Sequence, residues 1–310
     1  MKSIKDYRLI FMGTPSIASK VFEALIKEGY NFVALIAQED KPVGRKGIIM
    51  PVPTKEVAIR YNIPTYQPHK IRLDYEFVKE LKPDLILTMA YGQIVPQGLL
   101  DIPTKGCLNL HGSLLPKYRG AAPIQRAIIE GETKTGITLM EMVDKMDAGR
   151  MFAKQEVEIA LDDNYTSLCD KMSEAAIKVC LDNLPNYLND NLKGEEQDES
   201  LVTIANKIKP EDEKLNLDLP AKDFINFIRG LSDEPGGYII VDNKKLKIFK
   251  AHILSSNEGT VGQLEVKKNV NLQLKDAIIQ LDVVQLEGKK KMDGKSFANG
   301  NKNLDGMIAQ

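Results

Sequence analysis

Apolar positions along this chain follow two textures. In the first half, short apolar runs alternate with stretches of helical spacing. Leu9-Ile10-Phe11-Met12 is broken by Gly13-Thr14-Pro15-Ser16, and Ile17 to Ile26 then carries Ala18, Val21 and Leu25 on one side. That order predicts strand, turn and amphipathic helix. Asn31 to Ala37 predicts a second strand, and Val57 to Tyr61 a helical piece ended by Asn62-Ile63-Pro64. Asp84 to Met89 and Cys107 to Leu110 predict two further buried strands. Strands alternating with helices imply an α/β, Rossmann-like, mostly parallel sheet with helices on both faces. Ligands of such sheets bind beyond the carboxyl ends of strands, where Asn109 and His111 lie.

Tyr165 to Leu188 predicts a long helix with Leu168, Met172, Ala175, Val179 and Leu184 as core positions. Pro185 is expected to bend it or end its regular part. Asn189 to Ser200 is polar, acidic and contains Gly194, the composition of a linker. Asp223 to Leu231 predicts a short helix. Short strands follow: Tyr238 to Val241, Leu246 to Phe249, Val270 to Leu274 and Ile278 to Leu281, with turns at Asp242-Asn243-Lys244 and Asn257-Glu258-Gly259. This half predicts a small antiparallel, OB-like β-barrel. The expected division is 1–189, a linker at 190–206, and a barrel at 207–310.

Composition adds limits. The 310 residues suffice for two domains, and 43% hydrophobic with 27% charged residues is ordinary for a globular protein. A net charge of -1 gives no global attraction to nucleic acid, so such a role needs local basic patches. Cys107, Cys169 and Cys180 form neither a disulfide framework nor a metal spacing, which suits a reducing cytosol. The first residues lack a signal-peptide core, and no apolar run is long enough to span a bilayer.

Candidate chemistry concentrates between Cys107 and Gly149. Asn109, His111 and Asp147 sit there among glycines, prolines and small residues. A hydrogen-bond donor, a titratable ring and an acid to orient it are the parts for transfer through a tetrahedral intermediate. From spacing alone, Asn109 also reads as a strand-end backbone cap and Asp147 as a turn acid. His69 and His252 lack such surroundings and are assigned structural roles. Gly13-Thr14-Pro15 follows the first strand, but Pro15 and Ser16 break the dinucleotide-binding pattern, and there is no P-loop. Basic residues gather at Arg45 and Lys46, at Lys244, Lys245, Lys247 and Lys250, at Lys267 and Lys268, and at Lys289 to Lys291. Acids interspersed among them also fit a solvated surface.

Several segments together resemble the methionyl-tRNA formyltransferase family over nearly the whole chain. They are Phe11-Met12-Gly13-Thr14-Pro15, Asp40 to Arg45, Ala90-Tyr91-Gly92, Asn109 to Pro116, Arg119 to Gln125 and Asp147-Ala148-Gly149. In the second half, Val284 to Lys290 and Phe297-Ala298-Asn299-Gly300 carry the likeness. The resemblance implies formyl transfer from 10-formyltetrahydrofolate to the amine of methionine on initiator tRNA, by a cytoplasmic monomer needing no metal or membrane. It implies a catalytic set of Asn109, His111 and Asp147. Ser113, Leu114, Leu115 and Pro116 are then folate contacts, with Met89, Ala90, Tyr91 and Gly92 as the opposing wall. Lys41, Arg45 and Lys46 would meet the acceptor end of tRNA, and Lys245, Lys247 and Lys289 the rest of it. Ser232-Asp233-Glu234-Pro235-Gly236 departs from the family's usual Asn-Pro-Trp-Pro-Gly, and Lys41 stands where arginine is common. Competing functions are a same-fold formyltransferase acting on a nucleotide sugar or small amine, and a tRNA-binding module without catalysis.

Overall fold

The computed structural model describes residues 3–43 and 47–310. Its first elements are β1 (Leu9–Gly13), α1 (Ser16–Lys27), β2 (Phe32–Ile36), β3 (Lys41–Val43), β4 (Ile48–Met50), α2 (Pro53–Arg60) and β5 (Thr65–Tyr66). Next come α3 (Phe77–Leu81), β6 (Leu85–Met89), α4 (Gln97–Leu100), β7 (Cys107–His111), α5 (Pro123–Ile129), β8 (Lys134–Glu141), β9 (Met151–Glu158) and α6 (Tyr165–Leu188). The last are α7 (Ala221–Leu231), β10 (Gly237–Val241), β11 (Lys244–Ser256), β12 (Leu264–Val266), β13 (Val270–Gln273), β14 (Ala277–Leu286), β15 (Met292–Asp293) and α8 (Gly294–Gly300). Two compact units result. One comprises Met1–Gly120, Thr135–Glu158 and Cys169–Ile204; the other comprises Ala121–Lys134, Ile159–Leu168 and Ala205–Gln310.

The first unit is built on a sheet of order β5-β2-β1-β6-β7-β8-β9. Strands β5, β2, β1, β6 and β7 run parallel, and β8 is antiparallel to β7. Every residue of β1 and β6 is buried, as continuous apolar runs in central parallel strands require. Helix α1 buries Ala18, Val21, Phe22 and Leu25, the face its spacing predicts. Phe11 stacks on Phe22 at 4.8 Å between ring centroids, and Phe32 meets Phe22 edge-on at 5.1 Å. At the carboxyl ends, Gly13 pairs with Met89. A Cβ on Gly13 would stand 2.7 Å from the Met89 carbonyl oxygen, so glycine is what lets β1 and β6 close there.

Helix α6 has the predicted bounds, but Pro185 does not end it; the helix continues to Leu188. Proline forfeits only its own N–H bond and crowds one carbonyl a turn earlier. Only three residues of helix follow it, and the Asn189 side chain donates to the Pro185 carbonyl at 2.9 Å, capping one of the open acceptors of the last turn. The segment expected as a linker is tied down. Glu195 exchanges two backbone hydrogen bonds of 2.8 Å with Met151, and Gln197 is buried.

The second unit carries an antiparallel sheet of order β10-β11-β14-β13-β12, with β15 on β14. Asp242 and Asn243 take φ of 49° and 57°, the left-handed pair that a two-residue hairpin needs between β10 and β11. Strand β11 is longer than its apolar core predicts, and three register shifts against β14 let it curl. Among the described residues β10 and β12 are not paired with each other. The segment at 306–310 lies between them. Gln310 exchanges backbone bonds with Ile240 (2.8 and 2.9 Å), Met307 accepts from Leu264 (2.8 Å), and Ala309 donates to Gly262 (2.8 Å). The predicted barrel is thus a half-barrel with a short seam. Phe224, Ile228 and Leu231 of α7 are buried with Ile239, Leu246, Leu272 and Ile279. Each such large side chain contributes about 1.5–3 kcal/mol through burial.

Candidate active site

The site grows from the carboxyl end of β7. Alternation along a strand puts Asn109 and His111 on one face. Asn109 lies in register with Thr88 on β6 and Met140 on β8. It is half-buried, and its side-chain amide makes no hydrogen bond among the described residues. Beside it, the Thr88 hydroxyl is buried without a partner.

His111 is 4% exposed. Its Nε2 stands 2.9 Å from the Tyr118 carbonyl, which can only accept, so the proton of the neutral ring is assigned to Nε2. Nδ1 faces Asp147, with Oδ1 at 3.6 Å. That gap exceeds a direct hydrogen bond but places carboxylate charge where a second ring proton would appear. The other carboxylate oxygen, Oδ2, accepts from the Gly120 N–H at 2.9 Å. Asp147 therefore has one oxygen anchored and one turned to the histidine.

Asp147 holds this pose with φ at +50°. For a non-glycine residue the left-handed region costs about 1 kcal/mol or more, and surrounding contacts must hold it. Gln197 supplies them: its Nε2 donates to the carbonyls of Asp147 and Gly149, both at 2.8 Å. Arg119, 3% exposed, donates from Nε to Gln197 Oε1 at 3.0 Å and from Nη2 to Glu199 at 2.8 Å. Lys145 reaches Glu199 from the other side at 2.8 Å. Arg119 first and Lys145 next hold the Glu199 carboxyl down to about 2 from 4.5. A Cβ at Gly149 would collide with the Glu141 carbonyl, which explains the glycine closing Asp147-Ala148-Gly149.

The expected folate residues divide by accessibility. Ser113 and Leu115 are buried. The Ser113 hydroxyl donates to the Lys117 carbonyl at 2.6 Å, and Leu115 packs with Met140 and Met151. Leu114 and Pro116 are half-buried. Across from them, Met89 and Tyr91 are buried, while Ala90 and Gly92 are exposed at φ of 50° and 91°. The Tyr91 carbonyl accepts from Thr14 and Gln38, each at 3.1 Å, which fixes this loop to the ends of β1 and β2. Burial pushes the unpartnered Tyr91 phenol well above its ordinary range.

The basic residues are placed differently. Lys41 is exposed on β3; Arg45 and Lys46 lie outside the described residues. In the second unit Lys245 sits 4.1 Å over the Tyr238 ring, Lys247 donates to the Pro235 carbonyl at 2.5 Å, and Lys289 is exposed. His69 and His252 pair at 2.8 Å with Glu39 and Asp282. Among the described residues no His, Cys, Asp or Glu group is gathered for a metal, and no helix is long and apolar enough to cross a membrane.

Sequence reading missed the supports: Tyr118 through its carbonyl, Gln38, and above all Gln197. Thr14 and the Arg119-Gly120 pair had a local signal, each within a quoted motif, though not for the bonds they make.

Comparison with known proteins gives matches in both halves. Residues 7–184 match the model of the formyl transferase family, and residues 207–302 match that of the formyl transferase C-terminal domain. A methionyl-tRNA formyltransferase of Malacoplasma penetrans is 40% identical over 306 residues, 97% of this chain and 96% of its own. One from Bacillus subtilis is 42% identical over 299 residues, 94% of each chain. Among solved structures, the N-formyltransferase of Helicobacter canadensis in complex with folinic acid and dTDP-3-aminofucose superposes with a TM-score of 0.68. It has 18% identity and covers 88% of this chain and 98% of its own, a likeness of fold.

Proposed function

The chain belongs to the methionyl-tRNA formyltransferase family, and from that premise we propose that it moves the formyl group of 10-formyltetrahydrofolate onto the amine of methionine carried by initiator tRNA. The observation that carries the reading is the facing of His111 Nδ1 and Asp147 Oδ1 beside the unengaged amide of Asn109. The neutral amine attacks the formyl carbon, a C–N bond forms, and the carbonyl oxygen takes the negative charge. Asn109 donates to that oxygen as its charge develops; such a donor is worth about 3 kcal/mol. Nδ1 of His111 takes the proton the amine sheds, because Nε2 is committed to Tyr118. The proton then goes to the folate nitrogen as its bond to the formyl carbon breaks. Asp147 stabilises the charged ring between these transfers.

Leu114 and Pro116, with Ala90 and Gly92, are the accessible parts of the proposed folate walls. Residues 1–189 carry the chemistry in this reading, 190–206 connect, and 207–310 hold the tRNA body through Lys245, Lys247 and Lys289. Lys41, Arg45 and Lys46 meet phosphates near the acceptor end. The fold is shared with an enzyme solved with an amino sugar, so fold does not choose the acceptor; relatives near 40% identity favour tRNA. The test supplies 10-formyltetrahydrofolate with charged initiator tRNA, charged elongator tRNA and an amino sugar nucleotide in parallel. Formylation of initiator tRNA alone is expected. Turnover of the sugar alone would replace the acceptor, and tRNA binding without turnover would remove the catalytic reading.

A further inference from the structure

Gln197 lies 50 residues from Asp147 in sequence, in a stretch whose composition reads as linker, yet its carboxamide is buried beneath the catalytic loop. We propose that Gln197, oriented by Arg119, is a positioning residue for the formyl-transfer chemistry. It acts by clamping the backbone on both sides of Ala148 so that the Asp147 carboxylate faces His111. The proposal rests on the catalytic role of Asp147 and extends it to a residue outside the recognised motifs.

Three observations converge. First, both N–H donors of the Gln197 amide are used on this one loop, one for the Asp147 carbonyl and one for the Gly149 carbonyl, each at 2.8 Å. Two bonds from one rigid amide fix an orientation, whereas a single bond leaves a swivel. Second, the residue they clamp has its backbone at φ +50°, a state that asparagine and aspartate tolerate but do not prefer. Without the clamp the backbone can relax, and the carboxylate swings with it. Third, the amide cannot turn over. Its oxygen is held by the Arg119 Nε at 3.0 Å, and a flipped amide would set nitrogen against guanidinium and oxygen against two carbonyls. Arg119 is fixed in turn by Glu199 at 2.8 Å and by its own backbone, whose N–H donates to the Thr203 carbonyl at 2.9 Å. Arg119 and Gly120 are adjacent, and the Gly120 N–H binds Asp147 Oδ2. The same short segment therefore grips the carboxylate directly and its backbone through Gln197.

The test compares Gln197→Ala and Gln197→Glu with Asp147→Ala, in formylation of charged initiator tRNA at saturating donor. Glutamate keeps the size of glutamine and its bond to Arg119, but has no N–H to give and sets an anion against two carbonyls. Both Gln197 variants should lose kcat by about 10- to 100-fold, the cost of a small misplacement of a catalytic group. KM for the folate donor and the melting temperature should change little. Adding Gln197→Ala to Asp147→Ala should cost nothing further, because the clamp then has no carboxylate to aim. A Gln197→Glu enzyme with normal kcat would overturn the proposal, since packing alone would then suffice. So would full additivity with Asp147→Ala. If Asp147→Ala itself turns over normally, the failure lies in the assigned role of Asp147 and not in the clamp.

Discussion

The proposed catalytic corner of the first unit and the lysines proposed to meet tRNA in the second are organised in opposite ways. His111 and Asp147 are each anchored through one atom, Nε2 on the Tyr118 carbonyl and Oδ2 on the Gly120 N–H, which leaves Nδ1 and Oδ1 facing each other, and the side chains are 5% and 15% exposed. Each group is held by at least one partner that is itself held. Lys245, Lys247 and Lys289 are half-buried or exposed, and the side chains of the first two have single ties: a ring face for Lys245 and one carbonyl for Lys247. Bond-making needs reacting atoms fixed to a fraction of an ångström. Holding a polyanion needs only charge of the right sign at roughly the right place. The difference in order matches the difference between the tasks proposed for the two regions.

The contrast is tested most severely at the catalytic corner. Asn109→Ala, His111→Ala and Asp147→Ala should each lower the turnover rate by about 10²-fold or more with native circular dichroism. Combined variants should lose less than the product of the single losses, because the groups act as a unit. Near-normal turnover in any one of them would take that residue out of the mechanism. On the lysine face the expected effect is smaller and of another kind. Replacing Lys245, Lys247 and Lys289 together by alanine should weaken tRNA binding. The slope of log affinity against log salt should fall by up to about 0.9 for each lysine that meets a phosphate. Turnover at saturating tRNA should stay within about twofold of the parent, as for lost uniform binding. An unchanged slope would return these lysines to a solvated surface.

The smallest effect concerns acid. Glu199 is held at about 2 against an ordinary 4.5. Its pairing with Arg119 and Lys145 therefore helps the fold fully above pH 4.5 and is lost as pH falls through about 2. Glu199 is exposed, so solvent screens most of that help. The melting difference between parent and Glu199→Gln should be small at pH 6 and should vanish toward pH 2. A difference that grows on acidification would contradict the sign.

How much could be read beforehand depended on how local each signal was. Strand β7 was legible because Cys107-Leu108-Asn109-Leu110 is a strand pattern, and its end carried a dense motif. Helix α6 was legible because an apolar stripe persists over many turns. No strand was assigned to 134–158, since β8 opens on Lys134-Thr135-Gly136 and β9 is half-exposed along much of its length. The hairpin of β3 and β4 was missed because Ile48, Ile49 and Met50 are an apolar run that the structure leaves exposed. Asp147 read as a turn acid until the motif around it was weighed. Gln197 was unreadable: its partners are distant in sequence, and its neighbours Glu195, Glu196, Asp198 and Glu199 have the composition of a tether.

The seam at 306–310 carries a consequence for how the half-barrel breathes. Edges of β10 and β12 that would otherwise lie bare are covered there by a few residues, not by a full strand. Amide protons at Ile240 and Leu264 should therefore exchange with solvent through local lifting of this flap, well before those of β11 and β14 in the sheet interior. While the flap is lifted, two unsatisfied strand edges face water, and such edges recruit strands from other molecules. Crowded or heated samples would begin to self-associate through this seam, while the sheet beneath remained folded.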